Sequence, residues 1–378
     1  MAGRSRLSVG LVHDYLLVMR GAERSFAAIA DCWPSAKIYT LLYDEAGTHK
    51  RFAARNVKIS YLRRLPLHQQ NFRRALPLYP RAIERLPIDR HDVVVSSSSA
   101  FAHGVKLAPE TVHVCYCHSP FRYAWHERSR ALSELPAPLR PMLLRSLQRI
   151  RGWDVQAAQA VTHYVANSAV TRLRIQEFYA RDATVIHPPV DVDRFSIGRP
   201  ADYALMVTEI VRHKRVDVAL EAARRARQPI KVVGTGPDLV ALRAQFGDSA
   251  QFLGRVSDAE LTRLHREARV FLMANVEEFG IAAVEAQAAG RPVVAAAAGG
   301  ALETVVPGET GVLVPEDDVD AMAEALRYTD FDRFNPETVR RNAERFSTQA
   351  FQSRLRAEVD RLTGHAVLEP EPALARAA

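Results

Sequence analysis

Apolar and polar positions alternate in blocks along the second half of the chain. From Tyr203 onward, continuous apolar runs such as YALMVTEI, IKVVGTG and RVFLMAN are separated by amphipathic stretches such as VDVALEAARRA and DAELTRLHREA. Apolar strands that alternate with helices of about ten residues are typical of a parallel sheet covered on both faces. The pattern therefore predicts a Rossmann-like α/β domain.

The first half repeats this rhythm less regularly. Its predicted strands are LSVGLVHDY, KIYTLLY, VKISYL, HDVVVSSSS, TVHVCYCHS, VTHYVANS and TVIHPPVD, with a helix from Ala22 and a long helix from about Leu139 to Ala160. Turn-forming residues at Gly198 and Pro200 predict a boundary between a first domain, 1–197, and a second, 198–378. The second would end in a helix at about 348–363 that crosses back to the first, followed by a flexible Ala/Pro-rich tail at about 365–378.

Two Rossmann-like domains that face one another would form a ligand cleft at the carboxyl ends of both sheets. The chain has 378 residues, of which 48% are apolar and 25% charged, as in ordinary globular proteins. It has no run of 18 apolar residues and no apolar start long enough for a signal peptide, so we expect a cytoplasmic protein. Its three cysteines, Cys32, Cys115 and Cys117, are too few for a disulfide framework and fit a reducing compartment.

Charge is distributed unevenly between the halves. Residues 1–197 carry 28 Lys and Arg against 16 Asp and Glu, a balance of +12, and the remaining residues carry 23 against 27, a balance of −4. A basic half fits nucleic acid, an anionic membrane or a phosphorylated substrate, and charge alone does not choose among them.

Much of this positive charge lies in residues 48–90. The segment has 11 Lys and Arg against Glu84 and Asp89, interleaved with leucine and aromatic residues. This composition is typical of a segment that lies at an anionic membrane surface. A solvated basic face is the alternative, and RNA binding is less favoured because no nucleic-acid motif accompanies the charge. The apolar residues expected at the membrane are Phe52, Tyr61, Leu62, Leu65, Phe72, Leu76, Leu78 and Tyr79.

The stretch EEFGIAAVEAQAAG places two carboxylates, Glu277 and Glu285, on either side of a predicted helix start near Gly280. The unbonded N–H groups and the dipole of a helix start attract anions, and glycine lets a phosphate approach the backbone closely. Glu285 would then accept hydrogen bonds from the two hydroxyls of a ribose, and Glu277 from a sugar beyond the phosphates. The alternative is that these are ordinary acidic residues of a helix start and a solvated face.

Neighbouring strand ends fit a diphosphate ligand. Lys214 and Arg215 follow the first strand of the second half, and the loop GGALETV follows a later one. A basic helix cap that faces water is the alternative for this pair. VGTGPD lacks the third glycine of a dinucleotide fingerprint, where Leu239 stands, and no P-loop motif occurs, so an NAD enzyme and a P-loop NTPase are disfavoured.

In the first half, RGAE follows the opening strand and CYCHSPFRYAWH surrounds another strand end. Strand alternation predicts that His118 points into the cleft, although a lone histidine at this position is also compatible with a structural role. The C-x-C-H pattern lacks a second pair of metal ligands, and we interpret Asp191 and Asp193 as part of a turn after two prolines. We therefore expect no metal site.

Together these motifs resemble the E-x7-E signature of retaining glycosyltransferase family 4, whose fold is the two-domain GT-B fold. The likeness covers about residues 9–360 and includes RGAE, VHVCYCHSPFRYAW, VANS, IHPPVD, HKRVDVALEA, VGTGP, FLGRVSDAEL, GGALETVV and GETGVLVP. Within the family, the chain is similar to mannosyltransferase-type enzymes of bacterial surface-polysaccharide assembly.

The resemblance implies a role for each residue. Glu285 would bind ribose, Glu277 the donor sugar and Lys214 the diphosphate, while His118 would contact the sugar from the first domain. The other donor-binding positions that it implies are Gly21, Arg212, Arg215, Gly234, Gly236, Arg255, Val256, Phe279, Gly280 and Ile281. One departure is Glu209, which stands five residues before Lys214, where the family commonly has an arginine.

The resemblance further implies a nucleotide-sugar donor, with GDP-mannose favoured at the level of the family, and no cofactor or metal. The acceptor would be a lipid-linked saccharide or a polysaccharide precursor, met at the inner face of the cell membrane, and no nucleic-acid partner is expected. Two alternatives remain open: a nucleotide-sugar epimerase with the GT-B fold, and a nucleotide-sugar-binding protein without catalytic activity.

Overall fold

The computed structural model describes residues 7–133 and 135–364. The chain divides into two compact units. Of the described residues, the first unit contains those up to Val165, Gln176–Ala183 and those from Gln352, and the second contains Ala166–Ile175 and Thr184–Phe351.

The first sheet has seven strands in the order β3-β2-β1-β4-β5-β6-β7, and the neighbours from β3 to β5 pair in parallel. Its strands are β1 Val9–Leu16, β2 Lys37–Tyr43, β3 Val57–Ile59, β4 Val93–Ser98, β5 Val112–Cys117, β6 His163–Ala166 and β7 Ala183–Val185. The helices along this part of the chain are α1 Gly21–Cys32, α2 Tyr79–Glu84, α3 Arg128–Ser133, α4 Arg140–Gln159 and α5 Ala169–Tyr179.

The second sheet has six parallel strands in the order β10-β9-β8-β11-β12-β13. Its strands are β8 Ala204–Val207, β9 Ile230–Val233, β10 Ala250–Gly254, β11 Val270–Met273, β12 Val293–Ala296 and β13 Gly311–Val314. The helices here are α6 Val216–Ala226, α7 Leu239–Phe246, α8 Asp258–Glu267, α9 Ile281–Ala288, α10 Ala301–Thr304, α11 Val319–Tyr328, α12 Pro336–Glu344 and α13 Thr348–Thr363.

Helices cover both faces of the second sheet because its strands are apolar on both faces. Successive residues of β8 point to opposite sides, so Met206 packs in one core with Leu220 of α6, whereas Leu205 packs in another with Leu264 of α8 and Ala286 of α9. In both sheets the strand order reverses once, between β1 and β4 and between β8 and β11. Ligands of such sheets bind outside the carboxyl ends of the strands at this reversal.

The division between the units differs from the predicted boundary at residue 197. Val190, Val192 and Phe195 belong to the second unit because they pack in one buried cluster with Phe279 and Phe346. The segment that contains these residues therefore belongs to the second unit, because its apolar side chains, which precede Gly198 and Pro200 in the chain, are buried there.

The last helix, α13, passes from the second unit to the first at Gln352. Within the first unit, the Gln352 side chain donates to the carbonyl oxygen of Ala28 at 3.0 Å, and Glu358 pairs with His163 at 2.8 Å. The predicted tail, 365–378, lies outside the described residues. Along the described chain, no helix has both the length and the apolar character needed to cross a bilayer.

His265 of α8 is fully buried against the rings of Phe195 and Phe271, and neither of its ring nitrogens is hydrogen-bonded to a described residue. Burial, assisted by the charge of Arg194, lowers the pKa of His265 to about 3. We expect His265→Phe to stabilise the protein by about 1–3 kcal/mol at pH 7, because an unsatisfied buried polar group is removed.

The gain from His265→Phe should grow as the pH falls below about 6.5. There the unfolded histidine binds a proton that the folded one does not, so the wild type loses about 1.4 kcal/mol per pH unit and the variant loses nothing at this position. Urea unfolding at pH 7.5 and pH 5 measures both effects. His265→Gln is the control, since it keeps a buried amide and should not stabilise at pH 7.5. A less stable His265→Phe protein at both values would contradict this account.

Candidate functional site

The main candidate site lies at the carboxyl edge of the second sheet, where the strand order reverses between β8 and β11. The loop after β8 carries Lys214, and the loop after β11 carries Glu277 and leads into α9. Lys214 Nζ lies 2.5 Å from Glu277 Oε1. An ion pair therefore joins the two loops that flank the reversal.

A third side chain orients this pair. Asn275, which is buried, donates from Nδ2 to Glu277 Oε1 at 2.9 Å. The side chains of Lys214 and Glu277 are 21% and 25% exposed, so their charges are only partly screened by water. The carboxylate is thus held in one position but remains accessible.

The start of α9 depends on Gly280. Its φ of 88° and ψ of 58° lie in the left-handed region, and a Cβ there would come within 2.9 Å of Met273 Sδ. Only glycine adopts this conformation without strain, and it allows α9 to begin at Ile281, immediately after the Glu277 loop. The N–H groups of the first helical turn and the helix dipole make this end attractive to an anion.

A glycine pair after β12 packs on the same loop. A Cβ on Gly299 would lie 2.3 Å from the carbonyl oxygen of Glu277, and one on Gly300 would lie 2.3 Å from the backbone of Phe279. The Gly300 N–H donates to the Glu277 carbonyl at 2.8 Å. The Phe279 ring is buried beside Phe346, with the ring centroids 5.2 Å apart, so Phe279 offers a ligand only its backbone.

Gly234 and Gly236 act on the loop that carries Lys214. A Cβ on Gly234 would lie 1.8 Å from the Thr208 carbonyl oxygen, and one on Gly236 would lie 2.0 Å from that of Ile210. Both glycines therefore let the loop after β9 pack directly on the loop after β8. Their position supports a role in placing Lys214.

The remaining predicted residues of this unit occupy different environments. Glu285 lies on α9 and is 9% exposed. The Arg215 guanidinium is engaged by Asp317 Oδ2 at 2.5 Å. Arg212, Arg255 and Glu209 are exposed, and Val256 packs on the core of the second sheet. The structure thus brings together Lys214, Glu277 and the start of α9, but pairs Arg215 with another group.

In the first unit, His118 directly follows β5. Its Nε2 lies 2.9 Å from Ser97 Oγ, and burial lowers the pKa of His118 to about 4, with the charge of Arg122 as a further cause. His118 is therefore neutral at pH 7. Gly21 is the first residue of α1, and the preceding Arg20 N–H donates to Glu23 Oε2 at 3.0 Å.

Within the parts of the chain that the structure describes, no three or more His, Cys, Asp or Glu side chains are grouped so as to hold a metal ion. Cys115 and Cys117 are buried, and burial raises the pKa of both thiols. Both thiols are therefore protonated at neutral pH.

Sequence reasoning missed three side chains that shape these sites. Asn275 stands two residues after β11, and only its position at a strand end could have signalled it. Ser97 lies within the polar run SSSS, in which no single serine is distinguished. Glu303 lies on α10, within the stretch GGALETV, and accepts a hydrogen bond from His187 Nε2 at 2.8 Å, a contact that the sequence alone does not reveal.

Two parallel α/β units, each with one reversal of strand order, define the class of GT-B folds. HepE from Anabaena in complex with UDP is 16% identical, covers 94% of this chain and 100% of its own, and has a TM-score of 0.66. Sucrose-phosphate synthase from Thermosynechococcus elongatus is also 16% identical, covers 95% of this chain and 100% of its own, and has a TM-score of 0.69. At this identity the likeness concerns the fold, and it confirms the predicted GT-B class.

Protein-family models match both halves of the chain. The model for Glycosyltransferase Family 4 matches residues 19–194, and the model for Glycosyl transferases group 1 matches residues 191–346. Two glycosyltransferase models therefore match most of the chain between them, in line with the resemblance to family 4. D-inositol 3-phosphate glycosyltransferase 2 from Catenulispora acidiphila is 32% identical over 213 residues, which are 47% of this chain and 50% of the relative. The chain spans about half the length of the curated relatives that it matches.

Proposed function

We propose that this protein is a retaining glycosyltransferase that transfers a hexosyl group from a nucleoside diphosphate sugar to an acceptor hydroxyl. The observation that carries the proposal is the Lys214–Glu277 ion pair beside the start of α9. A diphosphate requires positive charge and N–H donors, and a sugar requires hydrogen-bond acceptors for its hydroxyls. Lys214, the helix start and Glu277 supply these groups next to one another.

Donor binding would redistribute the contacts of this pair. Without donor, Lys214 and Glu277 neutralise one another at 2.5 Å. A diphosphate at the helix start offers Lys214 a more highly charged partner, and Glu277, still held by Asn275, would then accept hydrogen bonds from sugar hydroxyls. Glu285, farther along α9, would bind the ribose.

Catalysis would rest on stabilising the leaving diphosphate. Its negative charge grows as the glycosidic bond breaks, and Lys214 and the helix start would face it. A charge-assisted hydrogen bond of this kind is worth about 1.5–3 kcal/mol, or roughly tenfold to a hundredfold in rate. In the mechanism that the family resemblance supports, the leaving diphosphate accepts the proton of the acceptor hydroxyl on the face of attack. No protein nucleophile and no metal are then required, and the protein acts by positioning the reactants.

For the donor, we propose GDP-mannose on the basis of the resemblance, with UDP-sugars as the first comparison because the HepE structure contains UDP. For the acceptor, a lipid-linked saccharide is proposed from the resemblance. A phosphorylated inositol is the second candidate, since several curated relatives are named D-inositol 3-phosphate glycosyltransferase.

A panel of GDP-, UDP- and dTDP-sugars tests the proposal through the melting temperature and nucleotide release. A donor present at 100 times its Kd stabilises the folded state by about 2.7 kcal/mol. We expect sugars of one base to stabilise the protein and to release nucleoside diphosphate only when an acceptor is present. Acceptor-independent release would favour the epimerase, and stabilisation without release under any condition would favour a non-catalytic binding protein.

We further propose that the first unit works at an anionic membrane surface, at the inner face of the cell membrane. Phe52, Leu62 and Tyr79, which the sequence assigned to this surface, are instead buried in the core. Tyr61, Leu65 and Leu78 remain exposed, and so do four arginines of the same segment, Arg63, Arg64, Arg73 and Arg74. The available surface is therefore smaller than predicted but keeps its basic and apolar character.

Replacing Arg63, Arg64, Arg73 and Arg74 with Ser should strongly reduce sedimentation with vesicles that contain anionic lipid, because each cation near such a surface contributes about 1 kcal/mol. Nucleotide binding should be unaffected. A matched control removes the same charge from the second unit, by replacing the exposed arginines Arg243, Arg327, Arg333 and Arg341 with Ser. If the wild type stays in the supernatant with anionic vesicles at low salt, the membrane proposal fails.

A further inference from the structure

Three polar side chains form a continuous chain at the carboxyl edge of the first sheet, where the strand order reverses between β1 and β4. His13 Nδ1 of β1 lies 3.1 Å from both the carbonyl oxygen and Oγ of Ser97 in β4. Ser97 Oγ in turn lies 2.9 Å from Nε2 of His118, which follows β5. This chain of hydrogen bonds thus connects the buried His13 to His118.

The hydrogen bonds in this chain have a defined direction. A backbone carbonyl oxygen only accepts, so the contact with the Ser97 carbonyl requires a proton on His13 Nδ1. That N–H also faces Ser97 Oγ, which therefore accepts from His13 and keeps its own proton to donate elsewhere. Ser97 is fully buried, and His118 Nε2 is the other described group within hydrogen-bond distance of its Oγ, so donation to Nε2 is the direction that leaves no buried hydroxyl proton unsatisfied.

We infer that Ser97, oriented by His13, is a positioning residue that holds His118 in the neutral tautomer with its proton on Nδ1. With Nε2 occupied as an acceptor, Nδ1–H is the group with which His118 donates a hydrogen bond. If His118 contacts the donor sugar, as the family resemblance implies, this assignment makes Nδ1 and not Nε2 the nitrogen that does so. The part of the inference that concerns the sugar rests on the proposed function, whereas the tautomer does not.

The surroundings hold the chain in place. His13 and Ser97 are 2% and 0% exposed. The His13 ring stacks on Phe26 of α1, with centroids 4.6 Å apart and planes 16° apart, and the edge of the His118 ring meets Tyr116 at 5.1 Å. Burial lowers the pKa of His13 to about 3 and that of His118 to about 4, which agrees with two neutral rings at pH 7.

The tautomer can be measured directly by NMR on the ligand-free full chain labelled with ¹⁵N-histidine. Long-range ¹H–¹⁵N correlations distinguish Nδ1–H from Nε2–H rings, and His118→Asn identifies the His118 signals by their loss. We expect wild-type His118 to show a protonated Nδ1 and an unprotonated Nε2 at pH 7. Ser97→Ala should abolish this single-tautomer pattern, and Ser97→Thr, which keeps the hydroxyl, should restore it.

His13→Phe provides a second variant that keeps the ring stacked on Phe26 but removes the N–H that orients Ser97. It too should lose the single-tautomer pattern. Once a donor that the enzyme turns over has been identified, the effect on catalysis can be measured. Ser97→Ala should lower kcat by about threefold to tenfold, which corresponds to the loss of one neutral hydrogen bond, and Ser97→Thr should restore the wild-type kcat.

A wild-type His118 that carries its proton on Nε2, or on both nitrogens at pH 7, would overturn the inference without any variant. So would a Ser97→Ala spectrum identical to that of the wild type. If the tautomer is as expected but no nucleotide sugar is bound or turned over, the proposed function fails and the positioning role of Ser97 stands.

Discussion

Lys214→Ala is expected to lower turnover by at least about tenfold, because the lysine pairs with Glu277 in the loop that leads into α9, where the diphosphate is proposed to bind. Arg215 cannot readily replace it, since its guanidinium is paired with Asp317. The variant also leaves the Glu277 carboxylate without its partner, so an uncompensated negative charge would face the diphosphate. Steady-state kinetics with the identified donor measure the effect.

Three further variants test whether the loss of turnover is specific to the charge of Lys214. Lys214→Arg keeps the charge and should retain more activity than Lys214→Ala. Lys231→Ala removes a lysine from β9, outside the site loops, and should leave turnover unchanged. Glu209→Arg restores the family's arginine at an exposed position and should not abolish activity. Unchanged kinetics in Lys214→Ala would mean that the diphosphate binds elsewhere.

Glu285→Ala and Glu277→Ala should impair different properties, namely nucleotide affinity in the first and turnover in the second. Glu285→Ala should weaken binding of the bare nucleoside diphosphate by about tenfold or more, because hydrogen bonds to a charged group are worth about 1.5–3 kcal/mol. Glu277→Ala should preserve that affinity or raise it, since Lys214 loses the anion with which the diphosphate competes. Its turnover should nevertheless fall, because the sugar loses its acceptor. Isothermal titration calorimetry separates the two outcomes.

Glu285 is 9% exposed, so the folding of each variant must be established first. Glu285→Gln serves as the second variant, since it keeps the shape of the side chain but replaces one acceptor oxygen with a donor. The neighbouring Glu278, which pairs with Arg174 at 3.0 Å, offers a control carboxylate in the same loop. Equal losses of nucleoside diphosphate affinity in Glu277→Ala and Glu285→Ala would refute the assigned roles.

The repeating pattern of apolar strands and amphipathic helices was sufficient to predict two α/β units, because strands buried on both faces must be apolar throughout. The site loops were also predictable in part. In a parallel sheet the chain leaves every strand at the same edge, so Lys214 and Glu277, which follow different strands, were expected to lie close together. Their roles toward a donor are predictions that the variants above test.

The remaining features depend on pairings that no local pattern encodes. Ser97 is one of four consecutive serines, and only the register that sets His13 beside it in the sheet distinguishes it. The engagement of Arg215 by Asp317 joins residues about a hundred positions apart. Similarly, Phe52, Leu62 and Tyr79 have the composition of an interfacial segment, but tertiary packing places them in the core.

The central claim is retaining transfer from a nucleotide sugar, and the stereochemistry of the product tests it most directly. A time course by ¹H NMR, with the donor selected by the panel and each proposed acceptor, follows the anomeric proton of donor and product together. We predict a glycoside with the anomeric configuration of the donor, formed at the same rate as nucleoside diphosphate is released. A product of opposite configuration, or nucleoside diphosphate release without any glycoside, would contradict the account.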